Sequence, residues 1–370
     1  MDSDILVIGG GIVGAAIAYG LARHGLKVTV LDEGDRAIRS ARVNFGLVWV
    51  QGKGNGMPAY AGWTRRSAAL WPALAADLAE EAGLDVELSQ PGGVAFCLGE
   101  EEMEAARQHA RRLHNQADIH EIEVIDRTRL QGLMPRAPLG PEVAGASFCR
   151  HDGHVNPLLL LRGLHRAMQR RGAVYRPEAP VTAVRATGGG FLAETPQGRF
   201  AAGKLVLAAG HGNPALAGAL GLAVPIRAER GQILVTERLD PFLPLPAGGL
   251  RQTGDGTVMI GATKEDVGLD TSTTVAAGVG LAARAVRTIP ALAGVTLVRS
   301  WAGLRVLTPD GHPAYAQSAS CPGAFIAVCH SGVTLAAAHA GPLADAIAAG
   351  RLTDELAPFH PGRFDVPAAA

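Results

Sequence analysis

Gly9, Gly11 and Gly14 stand in the spacing G-x-G-x-x-G, and an acidic residue, Asp32, closes the next apolar run. The chemistry suited to that pattern is dinucleotide binding. The first glycine permits a tight turn, the second lets backbone approach a pyrophosphate, and the third allows close helix packing. Asp32 directly ends the run Lys27–Leu31, where a carboxylate can accept both hydroxyls of an adenosine ribose; Glu33 is its neighbour. A different question is raised by Arg305, which sits in SWAGLRVLTPDGHP, Ser300 to Pro313, in apolar surroundings until Asp310. Three readings are open: a surface residue near a turn, an ion pair with an acid such as Asp310, or a charge held out for a ligand. Its guanidinium carries five donors in a rigid fork and stays charged at any working pH, which suits it to a carboxylate.

The elements that must position these groups are readable around them. Asp4 to Ile8 is a short apolar run fit for a buried strand, the spacing from Ile12 to His24 is helical, and Gly25 is a plausible stop. Strand, glycine turn, helix and strand together open a dinucleotide-binding unit, with the helix N-terminus facing the phosphates. Ser40 to Pro58 is loop-rich and holds Gly46, Gly52, Gly54 and Gly56. A long amphipathic helix follows, with Trp63, Leu70, Leu74 and Leu78 on related faces, and a charged surface helix comes after Gly99. Asn156 can cap a further helix that has Pro157 in its first turn. Short strands then lead to a buried strand at Leu205–Ala208, more strands over 224–262, and an alanine-rich helix from about Thr274 to Thr288. The last section reads as a buried strand, a sharp turn at His330-Ser331-Gly332, and a helix.

Length and composition bound the function. A chain of 370 residues suggests two domains, and the absence of a low-complexity linker favours domains whose chain crosses back and forth. Lys+Arg and Asp+Glu both total 34, so no field of one sign asks for nucleic acid or an anionic membrane. The N-terminus lacks a secretory signal, and no window offers the roughly 20 apolar residues of a membrane span. Cys97, Cys149, Cys321 and Cys329 form no C-x-x-C pair, so no zinc or iron–sulfur ligation is expected within this chain, and four isolated buried thiols fit a cytosolic protein. Glycine spacing does not choose FAD over a nicotinamide dinucleotide.

The segments DILVIGGGIVGAAIAYGLARHG, RVNFGL, DGHVNP, KLVLAAG, RGQILV and SWAGLRVLTPDGHP, with GAFIAVCHSGVTLAAAHAGPLADAI, choose it by likeness. In order, and over nearly the whole chain, they resemble the glycine oxidase and D-amino-acid oxidase superfamily of FAD proteins. The run NFGLVWVQGKG is similar to beta subunits of heteromeric D-hydroxyproline dehydrogenase, opine oxidase and hydrogen cyanide synthase. The resemblance implies an α/β fold: a Rossmann-like FAD-binding domain (residues 1–88, 145–223 and 300–370) interleaved with an α+β substrate domain built on a mostly antiparallel sheet (89–144 and 224–299). It implies non-covalent FAD, and no Cys or His stands at the usual attachment position. It places Gly9, Gly11 and Gly14 at the phosphates and Asp32 at the ribose. Asn44 and Gly46 fall in the loop approaching the flavin, Val181 on the adenine side, and Ala209 and Gly210 at the ribityl-phosphate. His330, Ser331, Gly332 and Val333 fall beside the flavin O2 and N1 edge, with Thr334 capping or contacting the cofactor. Arg305 resembles the arginine that grips the substrate carboxylate. For His330 three roles stay open: structural, flavin neighbour, or acid–base.

One departure is that relatives oxidising simple amino acids often use a mid-domain tyrosine. Here Tyr19, Tyr60, Tyr175 and Tyr315 all lie outside 224–262. The segment GGLRQTGDGTVMIGATKED instead offers Arg251, Gln252 and Lys264 or Glu265 to line the substrate side, with surface turns as the alternative. Lys53, among glycines, either approaches phosphate (that of an FMN at a subunit interface) or lies on a mobile surface loop. The implied activity is oxidation of an amino- or imino-acid C–N bond, on a D-hydroxyproline, proline-like or opine-type substrate, by hydride transfer to flavin N5. Electrons then leave through alpha and small iron–sulfur partner subunits. The alternatives are a self-sufficient oxidase giving hydrogen peroxide, a non-catalytic flavin-binding subunit, and a nicotinamide enzyme. The expected location is cytoplasmic, or peripheral to the inner membrane face through partners.

Overall fold

The computed structural model describes residues 3–34, 40–117 and 121–365, so expectations about Met1–Asp2 and the tail beyond Asp365 lie outside it. The chain opens with β1 (Ser3–Ile8), α1 (Ile12–Arg23) and β2 (Val28–Leu31). All four residues of β2 and all but Asp4 of β1 are buried, as continuous apolar runs must be when both faces of a sheet are covered. β1 pairs in parallel with β2 and with the strand Gly198–Leu207. Two further parallel neighbours, Val174–Arg176 and Ala324–Val328, extend the sheet on either side. Antiparallel strands at Ala314–Gln317 and in the hairpin over 183–195 complete eight strands.

Helices cover one face of this sheet. Asn156 caps the helix Pro157–Arg170 as expected, accepting from the N–H groups of Leu158 and Leu159, an interaction worth about 1 kcal/mol. The long helix Pro58–Ala82 buries Trp63, Trp71, Leu74 and Leu78, each contributing roughly 1.5–3 kcal/mol by leaving water. Pro72 interrupts its hydrogen bonding from an exposed position, and the Ala68 carbonyl that Pro72 cannot serve accepts instead from Gln90 Nε2 at 3.1 Å.

The second unit is built on a four-stranded antiparallel sheet, in the order Leu250–Gln252, Thr257–Gly261, Arg227–Arg238 and Leu297–Leu307. Its register puts Arg251, Met259, Val235, Ile233, Gly231, Trp301, Gly303 and Arg305 on one face, and Gln252, Val258, Ile260, Leu234 and Gln232 on the other. The second face joins a core with the helix Val275–Thr288, capped by Thr274, and with a three-stranded sheet. That sheet consists of Gly93–Leu98, Ile122–Asp126 and Val143–Cys149. The expected chain crossing at 145 falls inside its third strand, which is paired with both others. The first face looks onto loop 40–49: Trp301 Nε1 donates to the Val43 carbonyl (3.3 Å), and Phe45 packs on Ile233, Val235 and Met259. Among the described residues no helix is long and apolar enough to cross a membrane.

Candidate functional site

The glycine turn is built as its spacing requires. Gly9 has φ +105°, and a side chain there would lie 2.4 Å from the Ala208 carbonyl; one at Gly14 would lie 1.9 Å from the Gly9 carbonyl. Gly11 is the N-cap of α1, and no side chain caps the helix. A Cβ at Gly11 would have no neighbour closer than Ala41, at 3.7 Å. The first N–H groups of α1 are therefore open to an anionic ligand. Asp32 is buried and fastens this turn to β2: its carboxylate accepts from Gly10 N (2.6 Å) and Gly34 N (2.9 Å). The chain then passes Asp32 again through a bond from Ala179 N to the Asp32 carbonyl, and Val181 packs two residues on against the core beneath β1. His165 Nε2 braces the Gly10 carbonyl at 2.8 Å.

The loop and turn expected to flank a flavin are tied to each other. Asn44 Nδ2 donates to the carbonyls of Ser40 and Ala41, and its Oδ1 accepts from Gly46 N at 2.9 Å. Gly46 has φ +78°, and a side chain there would strike the Val155 carbonyl at 2.5 Å. Both residues thus shape the loop. Ala209 N donates to Asn213 Oδ1, and Gly210 turns the chain away with φ +56°. Thr334 Oγ1 accepts from Trp49 N (3.1 Å) and donates to the Leu47 carbonyl (3.3 Å), while its own carbonyl accepts from Ser67 and Trp71. Ser331 bonds the Tyr60 hydroxyl at 2.7 Å, Gly332 leans on Val13 in the first turn of α1, and Val333 is buried. The side chains of Ser331 and Thr334 are therefore committed to protein partners. His330, just past the strand Ala324–Val328, keeps accessible surface while crowded by protein. Burial first, then the charges of Lys53, Arg305 and Lys264, hold its pKa well below the usual range. Its imidazole is neutral near pH 7.

Arg305 lies on the first face of the four-stranded sheet, within electrostatic reach of His330. Nη1 donates to Glu229 Oε1 (3.0 Å) and to the carbonyls of Thr263 (2.8 Å) and Arg230 (3.4 Å). Nε and Nη2 bond no described residue. A side chain at Gly231 would lie 2.7 Å from Nη2, so this glycine, which the sequence did not single out, makes room for the guanidinium. One edge of the fork is anchored and the other is free, an arrangement that accepts a carboxylate. The ion pair considered with Asp310 is not formed. Asp310 bonds Arg363 at 2.7 Å and His312 N, and the acid at Arg305 is Glu229.

The other expected substrate-side residues divide. Arg251 shares the face of Arg305 but is only 4% exposed; its Nη1 holds the Val155 carbonyl (2.9 Å) and His154 Nδ1 (3.1 Å) beneath the Gly46 loop. Burial draws its pKa down to about 10. Gln252 is not part of the site. One step along a strand reverses the face, and its amide is used up by backbone groups of Leu239, Asp240, Phe242, Leu243 and Gly256. Lys264 is exposed beside Thr263, whereas Glu265 bonds Arg230. All four cysteines are free, but only Cys97 and Cys149 are buried, while Cys321 and Cys329 are half-buried. Among the described residues no cluster suits a metal ion. Asp152 and Gln51, which sequence did not mark, form a buried network under the Lys53 loop, joined only by the fold across about a hundred residues.

An uncapped helix end behind a glycine turn defines a dinucleotide-cofactor protein, and the half-free guanidinium of Arg305 on the second sheet has the chemistry to take an anion. The chain belongs to the FAD dependent oxidoreductase family, whose model matches residues 4–346. It is 46% identical over 336 residues to a subunit of opine oxidase from Agrobacterium tumefaciens (strain Ach5), covering 90% of each chain. It is 44% identical over 371 residues to the corresponding opine oxidase subunit of Rhizobium meliloti, covering 100% of this chain and 99% of that one. The crystal structure of glycine oxidase from Geobacillus kaustophilus superposes with a TM-score of 0.89 at 26% identity, covering 97% and 98% of the two chains. The protein is an FAD-dependent oxidoreductase, and the open α1 N-terminus and the room at Gly11 fit the pyrophosphate of FAD.

Proposed function

We propose that this chain oxidises the C–N bond of a carboxylate-bearing amino or imino acid, as the flavin-bearing subunit of a heteromeric opine-type dehydrogenase. The single observation that carries the reading is Arg305, anchored at Nη1 and free at Nε and Nη2, with its charge felt at His330. Bound FAD supplies the hydride acceptor. The chain's own residues do the positioning. Arg305 takes the carboxylate in a two-point contact and fixes the carbon beside it. The neutral His330 adds no positive charge that would oppose hydride loss from the amine. Likeness to proteins that are themselves named as opine oxidase subunits supports a partner subunit; an acceptor route through an iron–sulfur-bearing partner and an interface FMN belongs to the proposal and rests on the sequence resemblance alone.

The test is anaerobic mixing of the FAD-loaded protein with D-proline, cis-D-hydroxyproline, sarcosine, glycine and opines. Bleaching of the flavin by one of these, followed by slow reoxidation in oxygen, is expected. A flavin that none of them bleaches would overturn the reading, and rapid reoxidation by oxygen would make the protein a self-sufficient oxidase instead.

A further inference from the structure

The last described turns of the chain, Asp354–Phe359 and Pro361–Phe364, are remote in sequence from the glycine turn, yet an unbroken set of contacts joins the two. Arg363 begins it. Nε and Nη2 take both oxygens of Asp310 (2.7 and 3.2 Å), Nη2 also reaches the Pro313 carbonyl (3.0 Å), and Nη1 closes on the Phe359 carbonyl (2.8 Å). A guanidinium with all three nitrogens engaged is a rigid clasp, not a solvated surface charge. It fastens loop 308–313, which follows the Arg305 strand, to the end of the described chain. The loop is stiff in itself: Asp310 accepts from His312 N (3.0 Å), and Thr308 Oγ1 donates to the His312 carbonyl (2.6 Å).

His312, placed in this way, meets the Tyr60 ring edge to face at 5.2 Å, and Phe359 meets the same ring at 6.5 Å. These two contacts come from the two segments that Arg363 ties together. Tyr60 is 2% exposed, and burial keeps its hydroxyl protonated. That hydroxyl bonds Ser331 Oγ at 2.7 Å. Ser331 opens the turn that rests on α1: its carbonyl accepts from Leu335 N (2.9 Å), and a side chain at Gly332 would lie 3.2 Å from Val13, in the first turn of α1. A buried hydroxyl deprived of its partner costs more than the bond itself contributes, so Tyr60 and Ser331 hold each other.

We propose that Arg363 and Tyr60 are positioning residues for FAD, the clasp at Arg363 acting through the Tyr60 hydroxyl to hold the Ser331 turn against the open end of α1. This rests on the FAD site and is independent of Arg305. The FAD-loaded protein is diluted in series, and the fluorescence of released FAD gives Kd. Tyr60→Phe keeps the ring and removes only the hydroxyl; it is expected to weaken FAD binding roughly fivefold to tenfold, the scale of one buried hydrogen bond. Arg363→Met should weaken it by a similar factor alone, but by less than about twofold in the Tyr60→Phe background, because residues acting through one contact are not additive. At saturating FAD both variants should share one altered visible circular dichroism of the flavin. Arg287→Met breaks an exposed two-point pair with Glu142 (2.9 and 2.6 Å) in the other unit and should match wild type in both readouts. Wild-type affinity in Tyr60→Phe would overturn the proposal, and that variant carries the test should Arg363→Met fail to fold. Factors that multiply in the double variant would overturn it too, by placing the residues on separate routes. So would an unaltered flavin dichroism, or an equal loss in Arg287→Met, since either leaves only a general effect on stability. No arm involves Arg305, so failure here leaves the proposed function standing.

Discussion

His330 is a neutral imidazole near pH 7, because burial and three neighbouring cations oppose the imidazolium. His330→Gln is therefore expected to slow anaerobic flavin reduction by less than roughly tenfold and to leave its pH profile unmoved, where loss of a working acid or base costs roughly a hundredfold or more. A hundredfold loss with a vanished ionisation would restore an acid–base role. At this scale sequence showed some residues and hid others for physical reasons. Arg305 stood out because a charge in an apolar run must be compensated, but the compensating acid, Glu229, lies on the paired strand and was invisible before register was known. Arg251 and Gln252 looked equivalent because they are adjacent. Strand alternation sends them to opposite faces, and the parity of a strand is fixed only by what it pairs with.

The glycine turn and α1 form the element on which cofactor retention depends. Gly14→Ala places a Cβ where the Gly9 carbonyl lies 1.9 Å away, so either the turn or the helix must move. The variant is expected to purify with most of its flavin lost, read from the ratio of visible to ultraviolet absorbance; full occupancy would contradict the assignment of the turn. This element was legible because strand, turn, helix and acidic stop all lie within the first 32 residues and depend on local spacing. The Asn156 cap was legible for the same reason. The Lys53 loop was not. Its anchors, Gly93, Ser147 and Asp152, are remote in sequence, and a glycine-rich run looks mobile until they are in place.

As a whole molecule, the protein buries several imidazoles in neutral form, and acid should destabilise it. His339 is fully buried, bonds the Tyr315 hydroxyl at 2.8 Å, and has its pKa lowered by burial to about 3. Between that value and about 6.5 the unfolded chain binds a proton that the folded chain refuses, so stability is complete above 6.5 and is lost as pH falls, by up to about 1.4 kcal/mol per pH unit. The melting temperature is expected to drop from pH 7 to pH 5, and to drop less in His339→Gln, which keeps an acceptor for Tyr315. An equal drop in both would assign the effect elsewhere. The interleaving of the two units was legible as an absence of linkers, whereas the path through Val143–Cys149 was not, because its two partner strands come earlier in the chain. In the proposed function the two units meet where the sheet of one holds Arg305 within electrostatic reach of the His330 turn of the other. Stopped-flow flavin reduction of Arg305→Lys against wild type, under anaerobic conditions and with the best substrate of the panel, examines that meeting point. Reduction efficiency, the limiting rate divided by Kd, should fall roughly a hundredfold or more with FAD retained, because an ammonium cannot replace the two-point fork. An Arg305→Lys protein that binds and reduces like wild type would contradict the carboxylate clamp and the substrate class built on it.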